Sequence, residues 1–249
     1  MQNYEVRLLV ILAKERQLNI MINKYDFVYI LKDSKTNEEL KYSLRSIEAN
    51  AEDLINRVVF VGGKPEGFQG YIHIPQEQMF STKHMNAIMN IYKACKTASI
   101  TPNFILMNDD FYIMHKVEQI EKYYDGTMQA RTEELPEGNY RNQMEEYLKA
   151  LKHEVNLPLN FSVHTPMLIN KNLAETIIRT FEPESNFRNL YGNLTLNSGG
   201  SRSIKDNKLR KQDKSWNKEA IFASSDDDTF KRMLPTLRAK FKVKSRWEI

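Results

Sequence analysis

Residues 25–63 read YDFVYILKDSKTNEELKYSLRSIEANAEDLINRVVFVGG. The first seven residues are mostly apolar or aromatic and predict a β-strand. From Leu40 to Leu54, apolar residues recur at three- and four-residue spacing, which predicts an amphipathic helix. Val58–Val61 predicts a second, buried strand that ends at a pair of glycines. A strand, a helix and a strand in this order indicate an α/β fold with a mostly parallel central sheet flanked by helices.

The same pattern continues along the chain. Ser81 or Thr82 is placed to cap a helix, and Phe104–Met107 predicts a strand that ends at polar residues. Further on, we expect a helix over 140–155, a short strand over 161–163 and a helix over 170–181. Residues 192–217 are rich in Asn, Ser, Gly and Lys, and this composition predicts a mobile loop.

Composition limits the class of protein. The chain has 249 residues, of which 41% are hydrophobic and 27% charged, values typical of a globular protein. A single cysteine, Cys95, excludes an internal disulfide and a multi-cysteine zinc site. Because no apolar run approaches the roughly 20 residues of a membrane span, we expect no transmembrane segment and a cytoplasmic protein. Residues 1–20 are expected to be an extension or a peripheral helix, with Met21 as an alternative start.

Positive charge is concentrated at the carboxyl end. Residues 201–249 carry 14 basic and 7 acidic side chains, whereas residues 1–200 carry 22 and 25. This asymmetry favours either a polyanionic partner or a solvated basic tail, and charge alone does not separate the two.

Two adjacent carboxylates, Asp109 and Asp110, follow the strand Phe104–Met107. Ligands of open α/β sheets bind at the carboxyl ends of the strands, and Mg²⁺ or Mn²⁺ prefers oxygen ligands. The sequence therefore predicts a divalent cation bound here together with a nucleotide diphosphate. The alternative is that one of these acids only caps a turn.

Other polar residues fit a nucleotide site less specifically. Asp26 and Asp33 flank the first strand and are candidates for binding the ribose, although Asp33 also suits a turn. Arg45 lies in a core-facing helix and is a candidate for binding phosphate, with a salt-bridged arginine as the alternative. Asp227 follows the apolar segment Ala220–Ala223 and is a candidate second carboxylate for the metal, or part of a helix N-terminus.

His164 ends the predicted strand over 161–163, just before a proline. An imidazole has a pKa near neutrality, so His164 is a candidate general base for an acceptor hydroxyl. The alternative is a histidine bonded to backbone in a turn.

Taken in order, these residues resemble the Stealth proteins, sugar-phosphate transferases of capsule synthesis. The resemblance is carried by Glu39–Glu48 and Arg57–Pro65, and by the strand that ends in Asn108-Asp-Asp-Phe111. Weaker similarity covers His164-Thr-Pro-Met167 and Asn186-Phe-Arg188.

The resemblance implies a GT-A-like nucleotide-sugar transferase domain over 21–249. A nucleotide-sugar-binding half would span 21–115 and an acceptor half 116–249. It implies a donor such as a UDP-sugar, a Mn²⁺ or Mg²⁺ ion, and a carbohydrate or polymer acceptor. The residues implied to act are Asp109, Asp110 and Asp227 on the metal, Asp26, Asp33, Arg45, Asn86 and Asn108 on the donor, and His164, Asp110 and Arg188 in catalysis.

The transferred group stays open. The family's glycine-serine-aspartate after the first strand is replaced by Asp33-Ser-Lys35, so transfer of a sugar and transfer of a sugar-1-phosphate are both expected possibilities. A different class of protein also stays open, namely a non-catalytic module whose basic carboxyl-terminal region binds nucleic acid or an anionic polymer. A third possibility combines the two as a glycosyltransferase that acts on modified DNA.

Overall fold

The computed structural model describes residues 24–152, 154–184, 186–196 and 200–249. The expected extension over 1–20 and the alternative start at Met21 lie outside the described residues. The strands are β1 (Tyr25–Leu31), β2 (Ile55–Gly62), β3 (Ile72–Ile74), β4 (Asn103–Met107), β5 (Phe111–Ile113), β6 (Lys122–Tyr124), β7 (Met167–Asn170), β8 (Ser201–Ser203) and β9 (Phe222–Ser224). The helices are α1 (Glu38–Ala51), α2 (Lys83–Lys96), α3 (Met128–Glu134), α4 (Asn139–Leu151), α5 (Lys171–Phe181), α6 (Phe187–Leu194) and α7 (Phe230–Lys240).

A five-stranded sheet in the order β3-β2-β1-β4-β7 forms the centre of the protein. Strands β1 to β4 are parallel to one another, and β7 runs antiparallel to β4. The pairs β5–β9 and β6–β8 lie outside this sheet. The predicted α/β class, with a mostly parallel sheet flanked by helices, is therefore confirmed.

Alternate residues of the central strands face two different layers. Val28 and Val59 pack into a core that includes α2, α4, α5 and α6, whereas Phe27 and Phe60 pack into a second core with α1. A third, smaller core joins α7 to β5 and β9. Burial on both faces explains why β1 and β2 are almost continuously apolar.

The helix starts follow from their capping side chains. Asn37 Oδ1 accepts a hydrogen bond from the backbone N–H of Leu40 at 2.9 Å, and Thr82 Oγ1 accepts one from Met85 at 3.3 Å. Of the two caps predicted for α2, the structure therefore uses Thr82.

The predicted strand over 161–163 is wrong, and the strand β7 begins at Met167 instead. The backbone N–H groups of Phe161 and Ser162 donate to Asn189 Oδ1 of α6, at 2.7 and 3.1 Å. The Asn189 side chain thus accepts the backbone hydrogen bonds that the prediction had assigned to a neighbouring strand.

The predicted mobile loop over 192–217 is only partly correct. Its first three residues end α6 and are buried, and Ser201–Ser203 forms β8. Asn193 looked like a loop residue, but its Nδ2 donates to the Leu159 carbonyl at 2.8 Å. Residues 204–217 do lack a helix or strand, and residues 197–199 lie outside the described part of the chain.

Among the described residues, we find no helix with the length and apolar character that a membrane span requires.

Candidate functional site

The strand order places a crevice between β1 and β4. The chain runs from β1 through β2 to β3 on one side of β1, and then crosses to β4 on the other side. Open α/β sheets bind ligands at such a reversal, outside the carboxyl ends of the strands. Lys32 follows β1 and Asn108 follows β4, so both lie at this crevice.

The turn after β4 holds the two predicted metal-binding carboxylates in defined orientations. Asn37 Nδ2 donates to Asp109 Oδ2 at 2.6 Å. Ser224 Oγ donates to Asp110 Oδ2 at 2.9 Å, and Lys208 Nζ lies 3.7 Å from the same oxygen. The carboxylates are therefore positioned by α1 and β9 before any ligand binds.

Glu39 adds a third carboxylate that the sequence did not identify as part of the site. Its Oε1 accepts a hydrogen bond from Ser225 Oγ at 3.0 Å. Burial, together with the negative charges of Asp109 and Asp110, raises the pKa of Glu39 to about 8. Burial and the charge of Asp110 likewise raise the pKa of Asp109 to about 6. Burial and the neighbouring carboxyl groups thus disfavour ionisation of Glu39 and Asp109 in the crevice.

These residues fit a divalent cation whose remaining ligands come from a substrate. Within the described part of the chain, no three His, Cys, Asp or Glu side chains form a group that could hold a metal ion by themselves. Mg²⁺ is commonly held by one or two carboxylates plus substrate phosphates and water. Asp109 and Asp110 match that donor set. Asp227 is exposed and its Oδ2 lies 3.3 Å from Lys32 Nζ, so the structure does not group it with them as a metal ligand.

The raised pKa of Glu39 predicts an unusual pH dependence of stability. The folded protein keeps this proton up to about pH 8, whereas the unfolded chain loses it near pH 4.5, so stability falls as the pH rises between these values. We expect metal-free Glu39→Gln to melt a few degrees above the wild type at alkaline pH. A gain of about 1 kcal/mol in the free energy of unfolding raises the melting temperature of a protein of this size by roughly 2–4 °C.

Well below pH 4.5 the two melting temperatures should coincide, because Glu39 is then protonated in both states. Glu38→Gln, at the exposed neighbouring position, is the matched control. An identical pH dependence of the melting temperature in the wild type and in Glu39→Gln would show that ionisation of Glu39 does not destabilise the folded protein.

His164 is held by Asp206, a residue that sequence analysis missed. His164 Nδ1 lies 3.0 Å from Asp206 Oδ2, and the His164 backbone N–H donates to Asp206 Oδ1 at 3.0 Å. Burial raises the pKa of Asp206, but its bonds to His164 and the charge of Arg210 outweigh this and hold it well below its usual range. An ionised Asp206 keeps the proton on Nδ1 and leaves Nε2 as the basic nitrogen.

Arg188 approaches the crevice from α6. Its guanidinium lies 5.6 Å from the centre of the Phe111 ring, and His164 packs edge-on to the same ring at 6.4 Å. NH2 donates to the Thr165 carbonyl at 2.6 Å. Burial lowers the pKa of Arg188 to about 10, partly opposed by Asp206 and Asp110. The guanidinium therefore remains charged and lies in the neighbourhood of both acids.

The prediction that Asp26 binds the donor does not fit its position. Asp26 lies near the amino end of β1, five residues before Leu31 and so about 16 Å from the crevice at about 3.3 Å per residue. It is fully buried, with Arg57 NH2 at 2.7 Å and the Thr101 N–H at 3.0 Å. Asp26 therefore stabilises the amino-terminal ends of the strands, on the side of the sheet away from the crevice.

The prediction that Arg45 binds a phosphate is also corrected. Its Nε and NH2 donate to the two carboxylate oxygens of Glu248 at 2.7 Å each, and NH1 donates to the Phe241 carbonyl at 3.0 Å. Both side chains of the ion pair are less than a tenth exposed. The guanidinium joins α1 to the carboxyl-terminal segment, and its partner is this buried carboxylate rather than a donor phosphate.

Glu248→Ala is expected to destabilise the protein by about 3–5 kcal/mol, because it leaves the buried Arg45 charge without its partner. Glu48→Ala removes an acid that pairs with the half-exposed Arg246 and should cost about 0–1 kcal/mol. Denaturant unfolding measures both. Replacing Arg45 and Glu248 together by methionine should recover most of the loss, and equal effects of the two single variants would contradict the assignment.

The remaining predicted donor residues differ in placement. Asp33 is exposed in the turn after β1, where Gly63 approaches so closely that a Cβ atom would lie 2.2 Å from the Lys32 carbonyl oxygen. Asn108 begins the turn after β4. The Asn86 amide is occupied, since it donates to and accepts from the Phe80 backbone at 2.7 and 3.0 Å. Asp33 and Asn108 thus border the crevice, and Asn86 closes a neighbouring loop.

Comparison with known proteins adds no assignment: no family model matches the chain, and no curated protein matches it significantly.

Proposed function

We propose that the protein is a metal-dependent transferase that moves a sugar or a sugar-1-phosphate from a nucleotide-diphosphate sugar to an acceptor hydroxyl. The observation that carries the proposal is the convergence of Asp109 and Asp110 with the His164–Asp206 pair and Arg188 at the crevice between β1 and β4. A GT-A-like fold and membership of the Stealth group are part of the proposal. They are supported by the parallel sheet and by acids that directly follow a central strand.

The donor diphosphate would lie over the turn after β4. Asp109 and Asp110 would hold a Mn²⁺ or Mg²⁺ ion, which would stabilise the negative charge of the diphosphate and of the departing nucleotide. Lys32, Lys208 and Arg188 supply fixed positive charge around the same crevice. Such charges stabilise the transition state because they need no rearrangement as the leaving group departs.

His164 would act as the general base. With Nδ1–H donating to Asp206, Nε2 accepts the proton of the acceptor hydroxyl as its oxygen attacks. In glycosyl transfer the new bond forms to the anomeric carbon, the bond from that carbon to the diphosphate breaks, and nucleoside diphosphate leaves. In sugar-1-phosphate transfer the new bond forms to the sugar-side phosphorus, the bridge between the phosphates breaks, and nucleoside monophosphate leaves.

The released nucleotide tests the proposal and separates the two chemistries. A panel of nucleotide sugars, UDP-sugars first, is incubated with the protein and Mn²⁺ or Mg²⁺, and the products are identified by chromatography. Metal-dependent release of nucleoside diphosphate indicates glycosyl transfer, and release of nucleoside monophosphate indicates sugar-1-phosphate transfer. No release, together with no metal-dependent nucleotide binding, would contradict the proposal and favour a non-catalytic module for anionic polymers.

A further inference from the structure

A cavity of about 300 Å³ adjoins the His164–Asp206 pair. Asp206 lines it directly, and so does Thr165, the residue after His164. A group bound in this cavity would lie beside Asp206, the residue that holds the proposed general base. The cavity is thus a candidate acceptor site, and this inference rests on the proposed function.

The walls of the cavity are largely apolar. Ile204, Ala220, Ile221 and Phe222 contribute apolar side chains. The amide of Asn207, another lining residue, is already used, because Nδ2 donates to the carbonyls of Asn217 and Phe222 at 2.9 and 3.0 Å. Apolar walls of this kind suit a flat ring, whereas a sugar would need partners for a hydroxyl on nearly every carbon.

A basic segment of the chain lines part of the cavity. Residues 202–218, the basic segment, carry seven basic and two acidic side chains. The segment lines the cavity at two places, over 204–207 and at Asn217, and the Asn217 N–H donates to Asn207 Oδ1 at 3.0 Å to join them. Lys205 Nζ lies 3.2 Å from Asp125 Oδ2 at the cavity edge, with its side chain 90% exposed.

Three further lysines of the basic segment are exposed: Lys211, Lys214 and Lys218. Within the described part of the chain, none of them forms an ion pair with an acidic side chain. The turn that carries Lys211 is fixed rather than free-standing, because the Arg210 N–H donates to Asp213 Oδ2 at 2.7 Å and Arg232 of α7 donates to the Asp213 carbonyl. The segment therefore presents unpaired cations from an ordered backbone.

We propose that this surface binds a nucleic acid as the acceptor, with one modified base that carries the acceptor hydroxyl in the cavity and the flanking phosphates against the lysines of the basic segment. A base has apolar faces and a few polar edge atoms, and enzymes that modify a base take it out of the stack into a pocket. The neighbouring phosphates require cations that are not already paired with acids. A neutral glycan would use neither the apolar walls nor the charge.

The test measures binding without donor or metal, so that it is independent of catalysis. A fluorescein-labelled single-stranded DNA oligonucleotide is titrated with the protein, and fluorescence anisotropy is followed at several salt concentrations. The triple variant Lys211→Gln/Lys214→Gln/Lys218→Gln should weaken binding at least about tenfold at 0.1 M salt and lower the salt slope by about 2, at roughly 0.7 per phosphate contact.

The matched control removes the same charge elsewhere. Lys93, Lys149 and Lys152 are exposed, and the first two lie on α2 and α4, helices of the opposite layer. Their triple glutamine variant should bind the oligonucleotide like the wild type. Ala220→Phe, which fills the cavity, should weaken oligonucleotide binding several-fold and leave the salt slope unchanged.

Three results would overturn the inference: equal binding by the two triple variants, no effect of Ala220→Phe, or a sulfated polysaccharide that binds as tightly as DNA. The last result would assign the surface to an anionic glycan. Metal-dependent donor release without oligonucleotide binding would leave the proposed function standing and reject only the nucleic-acid acceptor. Oligonucleotide binding without donor release would reject the proposed transferase activity and retain the proposed nucleic-acid-binding surface.

Discussion

Asp109→Asn and Asp110→Asn are each expected to lower metal-dependent donor turnover by about 100- to 1000-fold, the loss typical of removing a group that stabilises charge in the transition state. The amide keeps the shape of the side chain but removes the charge that holds the cation. The two positions differ in their neighbours, since Asn37 donates to Asp109 and Ser224 donates to Asp110. Initial rates at saturating Mn²⁺ measure the effect.

Asp227→Asn is the matched control for this pair. Its carboxylate is exposed and pairs only with the exposed Lys32 among the described residues, a contact worth about 0–1 kcal/mol. We expect at most about a fivefold change in rate, as that energy implies. Full metal-dependent turnover in Asp109→Asn and Asp110→Asn would remove both from the metal site, and a large loss in Asp227→Asn would restore Asp227 to it.

His164→Gln should lower the rate by about 100- to 10,000-fold, the usual contribution of a positioned general base. The glutamine keeps a polar side chain near Asp206 but cannot accept the proton of the hydroxyl. Initial rates at saturating donor and Mn²⁺ measure the effect.

Asp206→Asn tests the positioning role separately. Loss of the carboxylate removes the acceptor that keeps the proton on Nδ1, so the rate should fall although His164 itself is retained. His84→Gln, an exposed histidine near Tyr140, is the control and should leave the rate unchanged. An unaltered rate in His164→Gln would rule out general-base catalysis by this residue.

Local sequence patterns were sufficient for the elements that build the crevice. β1 matches its expected bounds, and β4 lies within one residue and α1 within three residues of theirs, because their apolar spacing is set by packing on both faces of the sheet. The turn Asn108–Asp110 was predictable for the same reason, since it follows β4 directly. Site residues that directly follow a strand can thus be predicted from sequence alone.

Residues that depend on distant contacts were not predictable in this way. Arg45 pairs with Glu248, 203 positions later, and Asp206 reaches His164 from 42 positions away. Glu39 looked like an ordinary acid in the first turn of a helix, and only the tertiary structure brings it to Asp109 and Asp110. Periodicity and spacing do not identify such partners, because they arise from tertiary packing between segments that are distant in sequence.

The most direct measurement of the central claim is a calorimetric titration of the protein with UDP, with and without Mn²⁺. We expect one UDP to bind in the presence of Mn²⁺, much weaker binding without it, and loss of the Mn²⁺-dependent binding in Asp109→Asn/Asp110→Asn. Equal affinity with and without Mn²⁺, or unchanged binding by the double variant, would contradict a metal-dependent nucleotide site between β1 and β4.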